Sequence, residues 1–96
     1  MAARLKIIPV GENARLGAFL RSVRVAESVS QRELAVRLGL PQSFVSKIER
    51  GERQLQFLEF LELCSKLGIE ADVVTRRFLL LGARGLPKET APRKKG

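Results

Sequence analysis

Apolar residues recur along this chain at three- and four-residue spacing, the period that buries one face of a helix. Leu16, Phe19, Leu20 and Val23 form one stripe, Leu34, Ala35 and Leu38 a second, and Val45 with Ile48 a third. Phe57, Phe60, Leu61, Cys64 and Leu67 form a fourth, with Leu55, Leu58 and Leu63 lying off it. The residues between the stripes supply helix starts and stops. Asn13 is a fair N-cap for a first helix over about 13–26. Ser30 can accept the N–H of Glu33 while Glu33 reaches back, a capping box, and Val29 and Leu34 occupy the two positions of a hydrophobic staple. These predict a second helix over 31–38. Gly39 then stands where a left-handed cap is needed, and Pro41 fits the first turn of a third helix, from 41 or 42 to about 50. A fourth helix is predicted over about 56–67, ended by Gly68 and Ile69 in a Schellman-type turn. A fifth begins near 71 and runs into Phe78-Leu79-Leu80-Leu81, too continuous an apolar run for a free surface helix. Gly17, inside the first helix, costs about 1 kcal/mol relative to alanine, so that helix relies on tertiary contacts.

The pattern therefore predicts an all-α fold, a compact five-helix bundle over 13–81, flanked by an arm over 1–12 and a tail over 82–96. The arm carries Leu5, Ile7, Ile8 and Val10 around Pro9 and Gly11; it is β-prone, and Pro9 keeps it from being an ordinary central strand. Ninety-six residues suffice for one domain with a modest core. Charge adds a direction. The formal net charge of +8 favours a polyanionic partner. Residues 14–81 hold eleven Lys or Arg against eight Asp or Glu, whereas 82–96 hold five basic residues against Glu89 alone, so half the excess sits in the tail. Gly85, Pro87 and Pro92 among those charges read as disorder. No apolar stretch approaches the ~20 residues of a membrane span and no signal-peptide core opens the chain, which predicts a cytoplasmic protein. One cysteine forms no internal disulfide, and with no histidine there is no cluster at metal-ligand spacing. No metal or cofactor is expected. The same absences, with no phosphate-cradling glycine loop and no paired carboxylates, argue against an enzyme.

Residues 30–51 read as two helices joined by a tight glycine-centred turn, a helix-turn-helix. Around it, Leu20-Arg21-Ser22-Val23-Arg24, Val29-Ser30-Gln31-Arg32-Glu33-Leu34-Ala35 and Val45-Ser46-Lys47-Ile48-Glu49-Arg50-Gly51 resemble the first helix, second helix and recognition helix of the Cro/lambda-repressor class, the xenobiotic-response-element (XRE) family. The resemblance covers about 16–78, including the expected fourth helix ending in Leu67-Gly68. It implies a lambda-repressor-like domain that binds double-stranded DNA, its third helix in the major groove and its second across the phosphate backbone.

Val45 and Ile48 fix the inner face of the third helix, which leaves Gln42, Ser43, Ser46 and Lys47 outward as base-contact candidates. The resemblance matches Gln42, Ser43 and Lys47 to positions the family uses for base contacts. Gln42 suits adenine N6/N7 and Lys47 guanine O6/N7, each good pair giving about 1–3 kcal/mol of discrimination. Without the motif, such polar residues read as a merely solvated face. Gln31 matches the family's phosphate-clamping glutamine at the second helix's N-terminus. Arg32, Arg50 and Arg53 are further phosphate candidates, with ordinary surface charge the alternative. The resemblance makes Arg24 and Glu49 a structural ion pair joining the first helix to the third. Cys64 reads as a small core hydrophobe.

Two positions depart from the family pattern. Pro41 stands where Ser or Thr commonly caps the recognition helix, and Phe44 where a small polar residue is usual. Phe44 is left between half-burial, contact with thymine methyls and contact with a partner. Members of the class usually bind as two-fold dimers on half-sites about one helical turn apart. Val74, Phe78 and Leu81 of the fifth helix are the candidate homodimer interface. The expected function is a sequence-specific transcriptional regulator, in the first instance a repressor. Two alternatives stay open: an antitoxin-type autorepressor that binds a protein partner through the arm or the Leu79-rich end, and an interaction adaptor with non-specific DNA affinity in its tail.

Overall fold

The computed structural model describes residues 10–85, and the helices start and stop where local chemistry tells them to. Five helices follow in order: α1 (Val10–Ala26), α2 (Gln31–Leu38), α3 (Gln42–Glu49), α4 (Phe57–Leu67) and α5 (Ala71–Gly85). Ser30, in extended backbone, accepts the N–H of Glu33 at 3.0 Å and starts α2. The box closes only halfway, because the Glu33 carboxylate turns instead to Arg37, four residues on, at 2.9 Å. At α4 the corresponding bond is made: the Gln56 N–H donates to the Glu59 carboxylate at 2.9 Å. α1 starts at Val10, so Asn13 lies within the helix rather than capping it. Glu12 occupies the favourable first turn and pairs with Arg15. α5 runs to Gly85, four residues past Leu81. Residues 1–9 of the expected arm and 86–96 of the expected tail lie outside the described residues.

α1 to α4 all end alike. In each, one residue takes left-handed backbone and two N–H groups fold back onto the last turn, the Schellman arrangement. At α2, for instance, Gly39 donates to Val36 and Leu40 to Ala35, at 3.1 and 3.0 Å. Three of the four turns use glycine; after α1 the position is Ser28, with φ 62°.

The core draws on all five helices: Leu20 and Val23 of α1, Leu34 and Ala35 of α2, Val45 and Ile48 of α3, Leu63, Cys64 and Leu67 of α4, and Val74 of α5, with Val29 between. Both members of the expected staple, Val29 and Leu34, are buried in it. Burial pushes the Cys64 thiol pKa up, so the group stays protonated and apolar. The inward arc of α4 is half-buried Phe60 with buried Leu63, Cys64 and Leu67; it shares Phe60, Cys64 and Leu67 with the expected stripe and is rotated from it by about an eighth of a turn. Leu63 is buried, whereas Phe57 is 70% exposed and Leu61 borders on solvent. α4 must meet both α2 and α5, which centres its contact face between them.

α1 crosses the C-terminal end of α3 at backbone distance. A Cβ on Gly17 would collide with the carbonyl oxygen of Ile48 and lie 2.6 Å from that of Glu49, and one on Gly51 would lie 2.6 Å from the Cα of Ala14. Gly17, unfavourable for α1 by propensity, is therefore what admits α3.

Candidate nucleic-acid interface

α3 presents its first turn to solvent. Gln42, Ser43 and Lys47 are exposed on its outer face, while Val45 and Ile48 are sealed beneath. Ser46 is half-buried and its hydroxyl donates to the Ser43 carbonyl at 3.3 Å, so part of its hydrogen-bonding capacity is met by its own helix. Pro41 caps the helix with φ −65° and makes no side-chain bond, which leaves the first N–H groups of α3 open on that side.

A chain of hydrogen bonds joins this face to the core. Arg24 and Glu49 are 7% and 9% exposed and meet side-on: the Arg24 Nε donates to Glu49 Oε2 at 2.6 Å and Nη2 to Oε1 at 3.0 Å. The third direction of the guanidinium is filled by the Val29 carbonyl at 2.7 Å. Glu49 Oε1 also accepts from Gln31 Nε2 at 2.9 Å, and Gln31 Oε1 accepts from Gln42 Nε2 at 3.2 Å. The Gln31 amide is thus oriented by a buried carboxylate and in turn orients Gln42. Gln42 keeps Oε1 and one N–H, an acceptor and a donor side by side, the pairing that complements adenine N6 and N7.

The remaining arginines differ in how committed they are. Arg32 is exposed at the start of α2 beside Gln31. Arg50 pairs with Glu52 through two bonds of 3.0 Å; those bonds raise the arginine pKa and hold the glutamate below its ordinary value. Arg53 is more firmly held. It donates to both Glu59 oxygens at 2.8 and 2.9 Å and to the Gln54 carbonyl, and its guanidinium lies over the Phe44 ring, 4.6 Å from the centroid. The bonds from Arg53, then that from the Gln56 N–H, hold the Glu59 carboxyl at about 2. Arg53, expected at a phosphate, clamps the loop after α3 onto α4, and Phe44 is the half-buried surface it rests on. Nothing in the local sequence marks that stacking, whereas Arg37 is signalled by its spacing from Glu33; Arg37 also donates to the Lys66 carbonyl at 2.8 Å, tying α2 to the end of α4.

The expected dimer residues separate. Val74 is 1% exposed in the single chain, and a side chain with no accessible surface cannot meet a partner. Phe78 is half-covered, its ring 5.3 Å from that of Phe19 and beneath Arg15. Leu81 is exposed.

A family model described as a helix-turn-helix domain matches residues 15–78, which span all but the outer ends of α1 and α5. The chain is a helix-turn-helix protein of the XRE type. An XRE-family-like protein from Pseudomonas syringae superposes with a TM-score of 0.62 at 40% identity, over 72% of this chain and 88% of that one. The restriction-modification controller protein C.AhdI from Aeromonas hydrophila superposes with a TM-score of 0.62 at 34% identity, over 67% and 97% of the two chains. A curated relative, an HTH-type transcriptional regulator of Mycobacterium tuberculosis, is 33% identical over 91 residues, covering 95% of this chain and 62% of that protein. Another from Sinorhizobium fredii is 35% identical over 60 residues, 62% of this chain and 31% of its own. The chain thus spans about a third to three-fifths of the curated relatives it matches. Membership places this XRE-type protein in a transcriptional-regulator family that binds DNA. Among its described residues no helix is long and apolar enough to cross a membrane.

Proposed function

We propose that this XRE-type protein is a sequence-specific regulator of transcription that lays α3 in the major groove of duplex DNA as a homodimer, and that it acts as a repressor. The observation that supports the reading best is the pair of joined amides, Gln31 and Gln42, held through Glu49 to the core and ending in an exposed donor and acceptor. Gln42, Ser43 and Lys47 contact base edges. Ser46, already bonded within α3, contributes a weaker contact. Gln31 and Arg32, at the positive end of α2, take a phosphate, and Arg50 joins them by exchanging Glu52 for phosphate oxygens. Repression follows from occupancy, since a small domain that covers one half-site per copy blocks access to a promoter without any further contact.

The test is selection from a randomised duplex pool at physiological salt, with the intact chain and with Gln42→Ala plus Lys47→Ala. Enrichment of an inverted repeat that the double variant no longer selects, with preference of ~10³-fold or more over random duplex, supports the proposal. Unselective binding with a steep salt slope, unchanged by the two substitutions, would assign nucleic-acid affinity to residues 82–96 instead.

A further inference from the structure

The outward stripe of α3 ends in a charge pair. Ser43, Lys47 and Arg50 follow one another at four- and three-residue spacing, all exposed, and Arg50 caps the helix in helical backbone, so it continues the face that carries the base-contact candidates. Gly51 then turns the chain, and the Glu52 N–H donates to the Lys47 carbonyl at 2.8 Å, which returns the Glu52 side chain to that stripe. Its two oxygens accept from Arg50 Nε and Nη2 at 3.0 Å each, the fork-on-fork geometry in which a guanidinium also holds a phosphate. Lys47 lies near enough that its charge, after the bonds and charge of Arg50, helps hold the Glu52 pKa down. Arg50 is held far less firmly than Arg53. Arg53 has Glu59, the Gln54 carbonyl and the Phe44 ring, whereas among the described residues the Arg50 guanidinium has Glu52 alone, in a pair whose side chains are 55% and 54% exposed. A pair so open to water is weak and yields to a well-placed competitor.

We infer that Glu52 is a specificity-determining residue: its carboxylate occupies the phosphate-binding fork of Arg50 in the free protein and on random duplex, and gives it up only when α3 is seated on its preferred sequence. The inference rests on the groove reading proposed above and names what makes that reading selective. Glu52 stands two residues from Arg50, so it competes as an intramolecular ligand at high effective concentration. On random duplex the complex is loose and mobile along the backbone, and no phosphate stays in one place long enough to displace it. Base contacts from Gln42, Ser43 and Lys47 fix the depth and register of α3, hold one phosphate opposite the fork and make the exchange favourable. Non-specific affinity comes essentially from charge, so an arginine neutralised there is affinity withheld from wrong sequences.

The intact chain, Glu52→Gln, Arg50→Gln and the double variant are titrated at several salt concentrations against random duplex and against the duplex that the wild type selects. On random duplex Glu52→Gln is expected to steepen the slope of log K against log salt by about one contact and to raise binding by about fivefold at physiological salt. On the selected duplex its slope should match the wild type, with a gain of only about twofold from the pair no longer broken, so preference narrows. Arg50→Gln should do the opposite, losing about one contact on the selected duplex and none on random duplex. In the Arg50→Gln background the Glu52 substitution should add no contact on either. A Glu52→Gln gain that is equal on the two duplexes, or that persists without Arg50, would reflect net charge alone and overturn the inference, as would no gain at all. In each of these cases selection through Gln42 and Lys47 would still stand. A wild type that selects no duplex would instead overturn the groove reading, and this inference with it.

Discussion

The two ends of α3 are built on opposite terms. At the C-terminal end Glu49 is buried against Arg24, Gly17 lets α1 touch the helix backbone, and Gly51 turns the chain beside Ala14. At the N-terminal end Pro41 makes no side-chain cap, and Gln42 and Ser43 face solvent. One end holds the helix in place; the other is exposed to solvent and held by no side-chain cap. The difference teaches where change is tolerated. Substitutions at Gln42, Ser43 or Lys47 touch no core residue and should alter stability by less than about 0.5 kcal/mol, so sequence preference can change without refolding the domain. The ends communicate through Gln31, whose amide bonds Glu49 on one side and Gln42 on the other.

The largest effect is expected from breaking the locked end. Arg24→Ala leaves the Glu49 carboxylate buried without its charge partner and should destabilise by about 3–5 kcal/mol, a large share of the total stability of a small domain. Urea denaturation checks this, and DNA binding should disappear with the fold rather than before it. Replacing both partners, Arg24→Met with Glu49→Leu, removes the stranded charge and should recover most of the stability. It also deprives Gln31 of its acceptor. The double variant is therefore expected to fold yet discriminate less at the Gln42 position, which a loss of stability alone would not produce.

Gly17→Ala sharpens the same contrast with a single methyl group. Propensity alone predicts a gain of about 1 kcal/mol for this change inside a helix. The Cβ would instead meet the Ile48 and Glu49 carbonyls, rigid backbone that cannot swing aside. Overpacking of this kind typically costs about 1–3 kcal/mol, so the sign should reverse, and thermal unfolding of Gly17→Ala beside Gly11→Ala, where nothing lies near, reads the difference.

That reversal shows what a sequence can and cannot disclose. The ends of α2 and the start of α3 were legible because Ser30, Gly39 and Pro41 act on their immediate neighbours, and local chemistry survives into the fold. The outward face of α3 was legible because Val45 and Ile48 leave one solution. α4 was legible at Phe60, Cys64 and Leu67 but not at the edges of its stripe, because Leu58, Leu61 and Leu63 offer apolar residues on several sides and only the placement of α2 and α5 selects among them. Val74 was misplaced for a related reason: Val73, Val74, Phe78, Leu79, Leu80 and Leu81 put apolar residues on several sides of α5, and periodicity does not tell a core residue from an interface one. Arg24 and Glu49, twenty-five positions apart, were paired through family resemblance, not from their spacing. The commitment of Arg53 to Glu59 and Phe44 depends on a loop path that no motif describes.

Ser28 tests the support beneath the locked end. It takes the left-handed backbone that glycine occupies after α2, α3 and α4, and its turn sets the Val29 carbonyl that Arg24 binds. Ser28→Gly removes the Cβ strain and should stabilise by about 1 kcal/mol, less the extra freedom that glycine adds to the unfolded chain. The gain should appear as a higher Tm with unchanged DNA preference, since no group on the exposed face of α3 moves.

The smallest effect concerns the clamp just beyond α3. Glu59 is held at about 2, against an ordinary 4.5, chiefly by the bonds from Arg53. A carboxylate whose pKa is lowered by folding stabilises the fold above its unfolded value and loses that contribution as pH falls toward the folded one. Stability should therefore decline between pH 4.5 and about 2, and Glu59→Gln should flatten that part of the profile. The pair is solvent-exposed, so added salt should shrink the effect. The same variant loosens Arg53 from its clamp. If the guanidinium then turns to the duplex, the slope of log K against log salt steepens by about one contact, whereas in the wild type Arg53→Gln should leave it unchanged because the side chain is already engaged. A steeper slope in Glu59→Gln alone would show that Glu59 is what keeps Arg53 among the residues that hold α3 rather than those that meet DNA.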